Sequence, residues 1–222
     1  MPTIEKVSRV KAHIRYRLAD GTIVPGATTV LGILAKPALV KWANNLGLQG
    51  IDSTKYVDKL ATIGTLAHLM VENYLTGTEP DYTSYSPEEI GKAENSLLKF
   101  LDWEKQYDIK MIFNEKPLIS ELYGFGGTID CYAEINGKKA LLDFKTSKAI
   151  YDEHIIQLAA YKQLLIENGF EVDEVRVLRI GRTEEEGFEE RRETNLTKHW
   201  ELFKHLIEVY KLKNKINRKE AV

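Results

Sequence analysis

Residues 126–146 read GGTIDCYAEINGKKALLDFKT, two β-prone runs on either side of an Asn-Gly pair at 136–137. Asn-Gly favours a two-residue type I′ turn, because both turn positions need positive φ angles. The sequence therefore predicts a β-hairpin in which the residues flanking the turn pair with each other. Counting outward from the turn in this register places Asp130 directly opposite Asp143.

The side chains of the two predicted strands alternate between two faces of the sheet. One face is apolar and is predicted to meet the core; it consists of Ile129, Cys131, Ala133, Ala140, Leu142 and Phe144. The other face carries Asp130, Asp143 and Lys145. Directly opposed carboxylates destabilise a sheet, because their Cβ atoms lie only about 4.5–5.5 Å apart. Such a pair indicates a bound divalent cation, since Mg²⁺ prefers carboxylate oxygens; alternatively, both acids are solvated and Lys145 pairs with them.

The rest of the chain predicts an α/β fold, with a central mixed β-sheet flanked by helices, an N-terminal β-hairpin and helical additions. Helices are predicted at 28–50 (broken at Lys36-Pro37), 54–75, 87–107, 152–167 and 197–217. Ser86 and Glu89 form a predicted capping box at the start of the third helix, which carries the apolar stripe Ile90, Ala93, Leu97, Leu98 and Leu101. The last helix has its own stripe of Trp200, Phe203, Ile207 and Tyr210. Strands are predicted near 110–120, 127–135, 138–146, 173–180 and 187–193.

We treat residues 1–222 as a single domain, with a hairpin and helices at 1–50, a core at 54–195 and a C-terminal helix at 197–217. The predicted N-terminal hairpin begins at 7–18 and returns through 22–25. Lys11, His13, Arg15 and Arg17 share one face of its first strand, which is either a solvated face or an edge that contacts phosphates.

Composition excludes several classes of protein. The chain has 222 residues, 43% of them hydrophobic, and a net charge of −2, so it is neither intrinsically disordered nor strongly basic. One cysteine cannot form an internal disulfide framework. We find no run of about 20 apolar residues and no secretory signal, and expect a cytoplasmic protein without a membrane partner.

Several segments together resemble the PD-(D/E)xK nuclease superfamily. They are GGTID, a turn and LLDFKTS; Gln157 four residues before Tyr161; GTLAHLMVE at 64–72; and PGATTVL, KPAL and WA within 25–43. The pattern is similar to the RecB-type branch, which includes phage exonucleases, CRISPR-associated nucleases and the mitochondrial genome maintenance exonuclease. The resemblance covers most of residues 25–165 and implies a restriction-endonuclease-like core.

The resemblance also implies a metal site. Its ligands would be His68, Asp130, Asp143 and the backbone carbonyl of Phe144, and a histidine among oxygen ligands makes Mn²⁺ as suitable as Mg²⁺. No iron–sulfur cluster is expected, because Cys131 has no cysteine partners. Glu72, one helical turn after His68, would orient it, support the ligands from outside or be a surface acid.

Further roles follow from the same resemblance. Lys145 would orient or deprotonate a water molecule, or stabilise negative charge in the transition state. Gln157 and Tyr161 would approach the active site or the DNA backbone, unless they only pack in the core. Glu115 precedes a strand, as an acid often does in this branch, and would support the metal ligands from outside. Arg15, Arg17 and Lys148 are candidates for contacts with the DNA backbone.

The implied activity is a metal-dependent DNA exonuclease of phage-type recombination, repair or processing. A structure-specific endonuclease is the alternative within the same class. A non-catalytic DNA-binding or assembly subunit is the alternative from another class. The expected partners are single- or double-stranded DNA and a recombination or replication protein, and the sequence does not distinguish DNA from RNA.

Overall fold

A computed structural model describes residues 14–219. The strands are β1 (Tyr16–Arg17), β2 (Ile23–Val24), β3 (Ile109–Ser120), β4 (Phe125–Ile135), β5 (Lys138–Lys145), β6 (Glu174–Ile180) and β7 (Phe188–Glu193). The helices are α1 (Ala27–Leu31), α2 (Pro37–Leu48), α3 (Ser53–Thr76), α4 (Pro87–Glu104), α5 (Asp152–Glu167) and α6 (Thr197–Lys219). The predicted α/β class and nearly all of the predicted elements are confirmed.

The central sheet has five strands in the order β3-β4-β5-β6-β7. Only the β5–β6 pair is parallel, and α5 lies in the connection between these two strands. The other three pairs are antiparallel, so the sheet is mixed, as predicted.

The β4–β5 hairpin has the predicted turn and register. Asn136 and Gly137 have φ angles of 48° and 80°, which suit a type I′ turn. The ladder runs from the Ile135–Lys138 pair to the Cys131–Leu142 pair. The next position in this register places Asp130 opposite Asp143.

Helices α1, α5 and α6 cover one face of the sheet. Ile155, Leu158 and Leu164 of α5 are fully buried there, together with Phe203 of α6. The predicted stripe on α6 packs against this cluster. This layer fixes α5, and therefore Gln157 and Tyr161, beneath β4 and β5.

Helices α3 and α4 cover the opposite face. Phe100 and Trp103 of α4 pack against Leu142 and Phe144 of β5, and Val71 of α3 joins the same cluster. The predicted capping box is present at the start of α4. The predicted apolar stripe of α4 is wrong at Leu98, which is 59% exposed, because Leu98 is the next residue after Leu97 and falls beside the buried stripe.

The predicted division of the hairpin into one apolar and one polar face is wrong in two respects. Both faces are buried under helices, because Tyr132 and Leu141 on the second face pack beneath α5. Ile129 belongs to this α5 cluster, whereas Cys131 packs toward α3 and α4. Asp130 lies between these two residues, across from Glu115 of β3. Glu115 has a φ of 44°, so the side chains of the two strands depart there from regular alternation between the faces.

The N-terminal hairpin is present as β1 and β2. Lys11 and His13 lie outside the described residues, so the predicted face they share with Arg15 and Arg17 is described only in part. Helix α2 has no buried residue, which leaves it the least enclosed of the longer helices. No helix within residues 14–219 is long and apolar enough to cross a membrane.

Candidate active site

Three side chains from three elements converge near the end of the β4–β5 hairpin. His68 of α3, Glu115 of β3 and Asp130 of β4 each offer a ligand atom, and these atoms all lie within 4.8 Å of one another. All three side chains are half-buried. A histidine nitrogen with two carboxylates is a donor set that suits Mn²⁺ or Mg²⁺.

Helix α3 brings His68 to this position. Asp52 caps the start of the helix, and its carboxylate accepts hydrogen bonds from the Thr54 and Lys55 backbone N–H groups. One turn before His68, Gly64 lies so close to the end of β5 that an added Cβ would be 2.8 Å from Oγ1 of Thr146, the residue that follows the strand. The His68 ring packs edge to face against the Phe144 ring, with centroids 6.0 Å apart.

Asp130 connects the helix to the two strands. Its Oδ2 accepts a 3.0 Å hydrogen bond from the backbone N–H of Phe144. The same oxygen lies 3.7 Å from Nδ1 of His68. Strand β5 therefore helps to hold the Asp130 carboxylate beside His68.

Glu115 lies closer to the candidate metal site than the sequence indicated. The pairs Asn114–Cys131 and Lys116–Ile129 place it across the sheet from Asp130. Its φ of 44° is uncommon for a residue other than glycine and redirects its side chain out of the regular strand pattern. Glu115 is therefore a candidate ligand rather than a supporting group.

Asp143 and Lys145 form a buried ion pair beside this group. The Asp143 side chain is 1% exposed, the Lys145 side chain is 19% exposed, and Nζ lies 2.6 Å from Oδ2. Burial raises the pKa of Asp143 to about 6, against the opposing effect of the Lys145 charge. Burial alone would lower the pKa of Lys145, but the charges of Asp143 and Asp130 outweigh it and raise the pKa. At neutral pH both groups are therefore charged.

The residues present fit a divalent cation. Oδ2 of Asp143 is buried, and the Lys145 ammonium 2.6 Å away donates a hydrogen bond to it and balances its charge. The fit to a cation therefore comes from the His68 nitrogen and the Glu115 and Asp130 carboxylates, which supply the nitrogen and oxygen donors that Mn²⁺ or Mg²⁺ accepts. Asp143 lies outside the group of His68, Glu115 and Asp130, and joins it as a ligand only in the prediction from resemblance.

Gln157 and Tyr161 of α5 lie beneath Asp143. Nε2 of Gln157 donates to the Tyr161 hydroxyl at 2.8 Å and contacts Oδ1 of Asp143 at 3.5 Å. Burial raises the pKa of Tyr161 well above its usual value. Both side chains are buried, so the structure places them next to the site while they also pack in the core.

The other predicted residues are spread more widely. Glu72 is half-buried one turn beyond His68 and lies outside the group of candidate ligands. Arg17 donates to the Gly21 carbonyl across its own hairpin, and Arg15 is exposed just before β1. Lys148 is exposed just after β5 and lines a cavity that also touches His68 and Lys145.

Cys131 is fully buried beside Asp130. Burial raises the pKa of its thiol to about 12, and the Asp130 charge adds to this effect. The thiol is therefore protonated at neutral pH and packs as a small apolar group in the cluster with Leu142 and Phe144.

The comparisons with known proteins give no family. No family model matches the chain, and no curated protein matches it. Among solved structures, the chain is similar to a protein from Eubacterium rectale that is provisionally named an exonuclease. The identity is 15% and the TM-score 0.47, over 68% of this chain and 65% of that protein. It is also similar to the protein SSO0001, with 15% identity and a TM-score of 0.35, over 66% of this chain and 72% of that one.

The chain thus spans just under two thirds of the length of the Eubacterium rectale protein. Similarities this distant assign no residue a role. The chemistry of the site therefore follows from the side chains that converge there.

Proposed function

We propose that the chain is a divalent-metal-dependent nuclease of the PD-(D/E)xK type that hydrolyses DNA phosphodiester bonds. One observation carries this proposal: a histidine and two carboxylates converge beside a buried aspartate–lysine pair. Binding alone gives no reason for such a group, because uncompensated carboxylates repel phosphate. A cation at this position reverses that repulsion.

His68, Glu115 and Asp130 would hold the metal ion, with Asp143 and the Phe144 carbonyl as further ligands by resemblance. The bound cation would polarise the scissile phosphate and lower the pKa of a bound water. The backbone N–H of Phe144 keeps the Asp130 carboxylate in place for this role.

Lys145 would act as a positive charge at the reacting phosphate. Its raised pKa keeps the ammonium protonated at neutral pH, which favours stabilising developing negative charge over accepting a proton. Asp143 holds Nζ within 2.6 Å, so the ammonium is already positioned before substrate binds.

Asp143→Ala and Lys145→Ala test these roles. We expect either change to abolish metal-dependent DNA cleavage while the far-UV circular dichroism spectrum is retained. Lys138→Ala is the matched control, because Lys138 is exposed at the other end of the same strand. Cleavage at the wild-type rate by a folded Lys145→Ala protein would contradict the assignment.

We further propose that the activity is exonucleolytic, in DNA recombination, repair or processing. The test compares end-labelled linear DNA with covalently closed circles, single- and double-stranded, in Mg²⁺, Mn²⁺ or EDTA. Metal-dependent loss of linear DNA alone would support an exonuclease, and cutting of circles an endonuclease. If neither metal supports any cleavage, a non-catalytic DNA-binding subunit becomes the better explanation.

A further inference from the structure

A cavity of about 620 Å³ opens directly onto the candidate active site. Helices α2 and α3 form one wall, and the segment after β5 forms the other. His68, Phe144 and Lys145 lie among its lining residues. A strand whose phosphate reaches Lys145 can therefore place its neighbouring nucleotides in this cavity.

The helical wall of the cavity is apolar and aromatic. Trp42 of α2 and Tyr56 of α3 lie side by side, with ring centroids 6.0 Å apart. Leu39 and Val57 extend the wall and are 52% and 46% exposed. Tyr151 contributes a third aromatic ring from the opposite wall and is 51% exposed. Large apolar side chains exposed at a concave site indicate a ligand with apolar faces.

The charged groups of the cavity are positive. Lys145, Lys148 and Arg182 contribute to its lining, and no aspartate or glutamate does so among residues 14–219. Arg182 is paired with Glu186 and Lys145 with Asp143, so Lys148 is the lining cation that has no ion pair within the part of the chain that the structure describes. A ligand that combines flat apolar groups with negative charge fits both walls.

We propose that this cavity binds the unpaired bases of a single DNA strand next to the phosphate held at the active site. Nucleobases stack on aromatic side chains without sequence preference, while lysines contact the backbone. In a duplex the base faces are covered by their neighbours, so Trp42 and Tyr56 reach them only where the strand is unpaired. The inference rests on the proposed nuclease function and makes unpaired strands or frayed ends its substrate class.

The test measures equilibrium binding by fluorescence anisotropy in Ca²⁺ with three labelled probes of equal length. They are a single DNA strand, an abasic strand with the same phosphates, and a blunt duplex. We expect the single strand to bind about tenfold or more tightly than either other probe. Trp42→Ala and Tyr56→Ala should each weaken single-strand binding about tenfold and leave abasic-strand binding nearly unchanged.

Two controls accompany these variants. Trp42→Phe keeps a stacking ring and should retain most of the affinity. Phe188→Ala removes an exposed ring from β7, away from the cavity, and should change nothing. Because α2 has no buried residue, substitutions at Trp42 should leave the fold intact, which circular dichroism checks.

Equal affinities for the single and abasic strands, or unchanged binding by both alanine variants, would overturn the inference. A change from dimer to monomer in sedimentation on Trp42→Ala would assign the wall to a second copy of the chain and also overturn it. Base-dependent binding without cleavage in Mg²⁺ or Mn²⁺ would support the cavity and reject the nuclease. Cleavage without base-dependent binding would support the nuclease and reject the cavity.

Discussion

Glu115 has an unusual backbone conformation at the point where its side chain joins the candidate metal ligands. A φ of 44° costs a residue with a Cβ about 1 kcal/mol or more, and such residues cluster at functional sites. The conformation directs the carboxylate toward His68 and Asp130, within the 4.8 Å group. The backbone geometry and the convergence of ligand atoms therefore point to the same role.

We expect Glu115→Gln to weaken Mn²⁺ binding about tenfold or more, because an amide loses the negative charge of a candidate ligand. Glu72→Gln is the matched control, since Glu72 is half-buried one helical turn from His68 but lies outside the group. Isothermal titration calorimetry with Mn²⁺ measures both. Equal losses from the two variants would remove Glu115 from the ligand set.

At the scale of residues, the sequence predicted the pairing of β4 with β5, because that pairing depends on the geometry of the turn between them. The Asn136-Gly137 turn determines the register, and the register places Asp130 opposite Asp143. The position of Glu115 was not predictable in this way, because it depends on a distortion of β3 that no turn residue marks. The same distortion is why simple alternation failed for Ile129.

At the scale of elements, close packing of β4 on α5 depends on Gly127. An added Cβ would lie 2.5 Å from Cε1 of Tyr161 and 3.0 Å from Cδ1 of Leu164. Both side chains are buried in the core, so neither can move away cheaply. Tyr161 in turn accepts the hydrogen bond from Gln157 below Asp143.

We expect Gly127→Ala to lower the free energy of unfolding by about 1–3 kcal/mol, because it overpacks this contact. The control is Gly91→Ala in α4, where an added Cβ meets no atom within 4 Å. That change should stabilise the protein by about 0.5–1 kcal/mol through helix propensity. Urea denaturation measures both, and a neutral Gly127→Ala would show that the two elements separate easily.

The first turn of α5 contains a titratable cap. Nδ1 of His154 accepts a 3.2 Å hydrogen bond from the backbone N–H of Tyr151, which requires an unprotonated nitrogen. Burial lowers the pKa of His154 from 6.5 to about 4, and the charges of Lys145 and Lys36 add to this effect. Glu153, paired with Lys36, is the acid beside it.

Because the unfolded chain binds this proton more readily, the contribution of His154 to stability is complete above pH 6.5 and is lost as the pH falls toward 4. His154→Gln keeps an acceptor that does not titrate. We expect it to reduce the loss of stability between pH 6.5 and 4 by about 1–2 kcal/mol, a figure reduced for partial solvent exposure. His205→Asn, at an exposed position on α6, is the control in the same pH series of urea denaturations. Parallel pH profiles for wild type and His154→Gln would contradict this account.

Helix and strand positions were predictable because their signals are local. Ser86 with Glu89, Pro37 at a helix start and the apolar stripe on α6 each specify structure within a few residues. The burial of both faces of the hairpin has no local signal in the sequence, because it depends on how α3, α4 and α5 pack around the sheet. The apolar residues Tyr132 and Leu141, which alternate with the apolar residues of the first face, were the feature of the sequence that indicated a second buried face.

At the scale of the whole molecule, burial is unevenly distributed around the site. The hairpin and α5 are enclosed on both sides, whereas α2 has no buried residue and contacts α3 along one side. The candidate ligands lie on α3, β3 and β4, which all have buried residues, whereas Trp42 lies on α2, which has none. Elements with few buried apolar contacts open with a low free energy, which is common in binding segments.

Hydrogen–deuterium exchange should show this division. We expect the backbone amides of α2 to exchange about a hundredfold or more faster than those of β4 and β5, because opening α2 exposes no core.

A single DNA strand in Ca²⁺ should slow exchange in α2 and at the start of α3, since bases bound against Trp42 and Tyr56 hold both helices in place. The C-terminal half of α6, which lies outside the cavity, is the internal control and should be unchanged. Exchange in α2 as slow as in β5 without DNA would show that the wall is rigid, and unchanged exchange on adding the strand would argue against contact between the strand and α2.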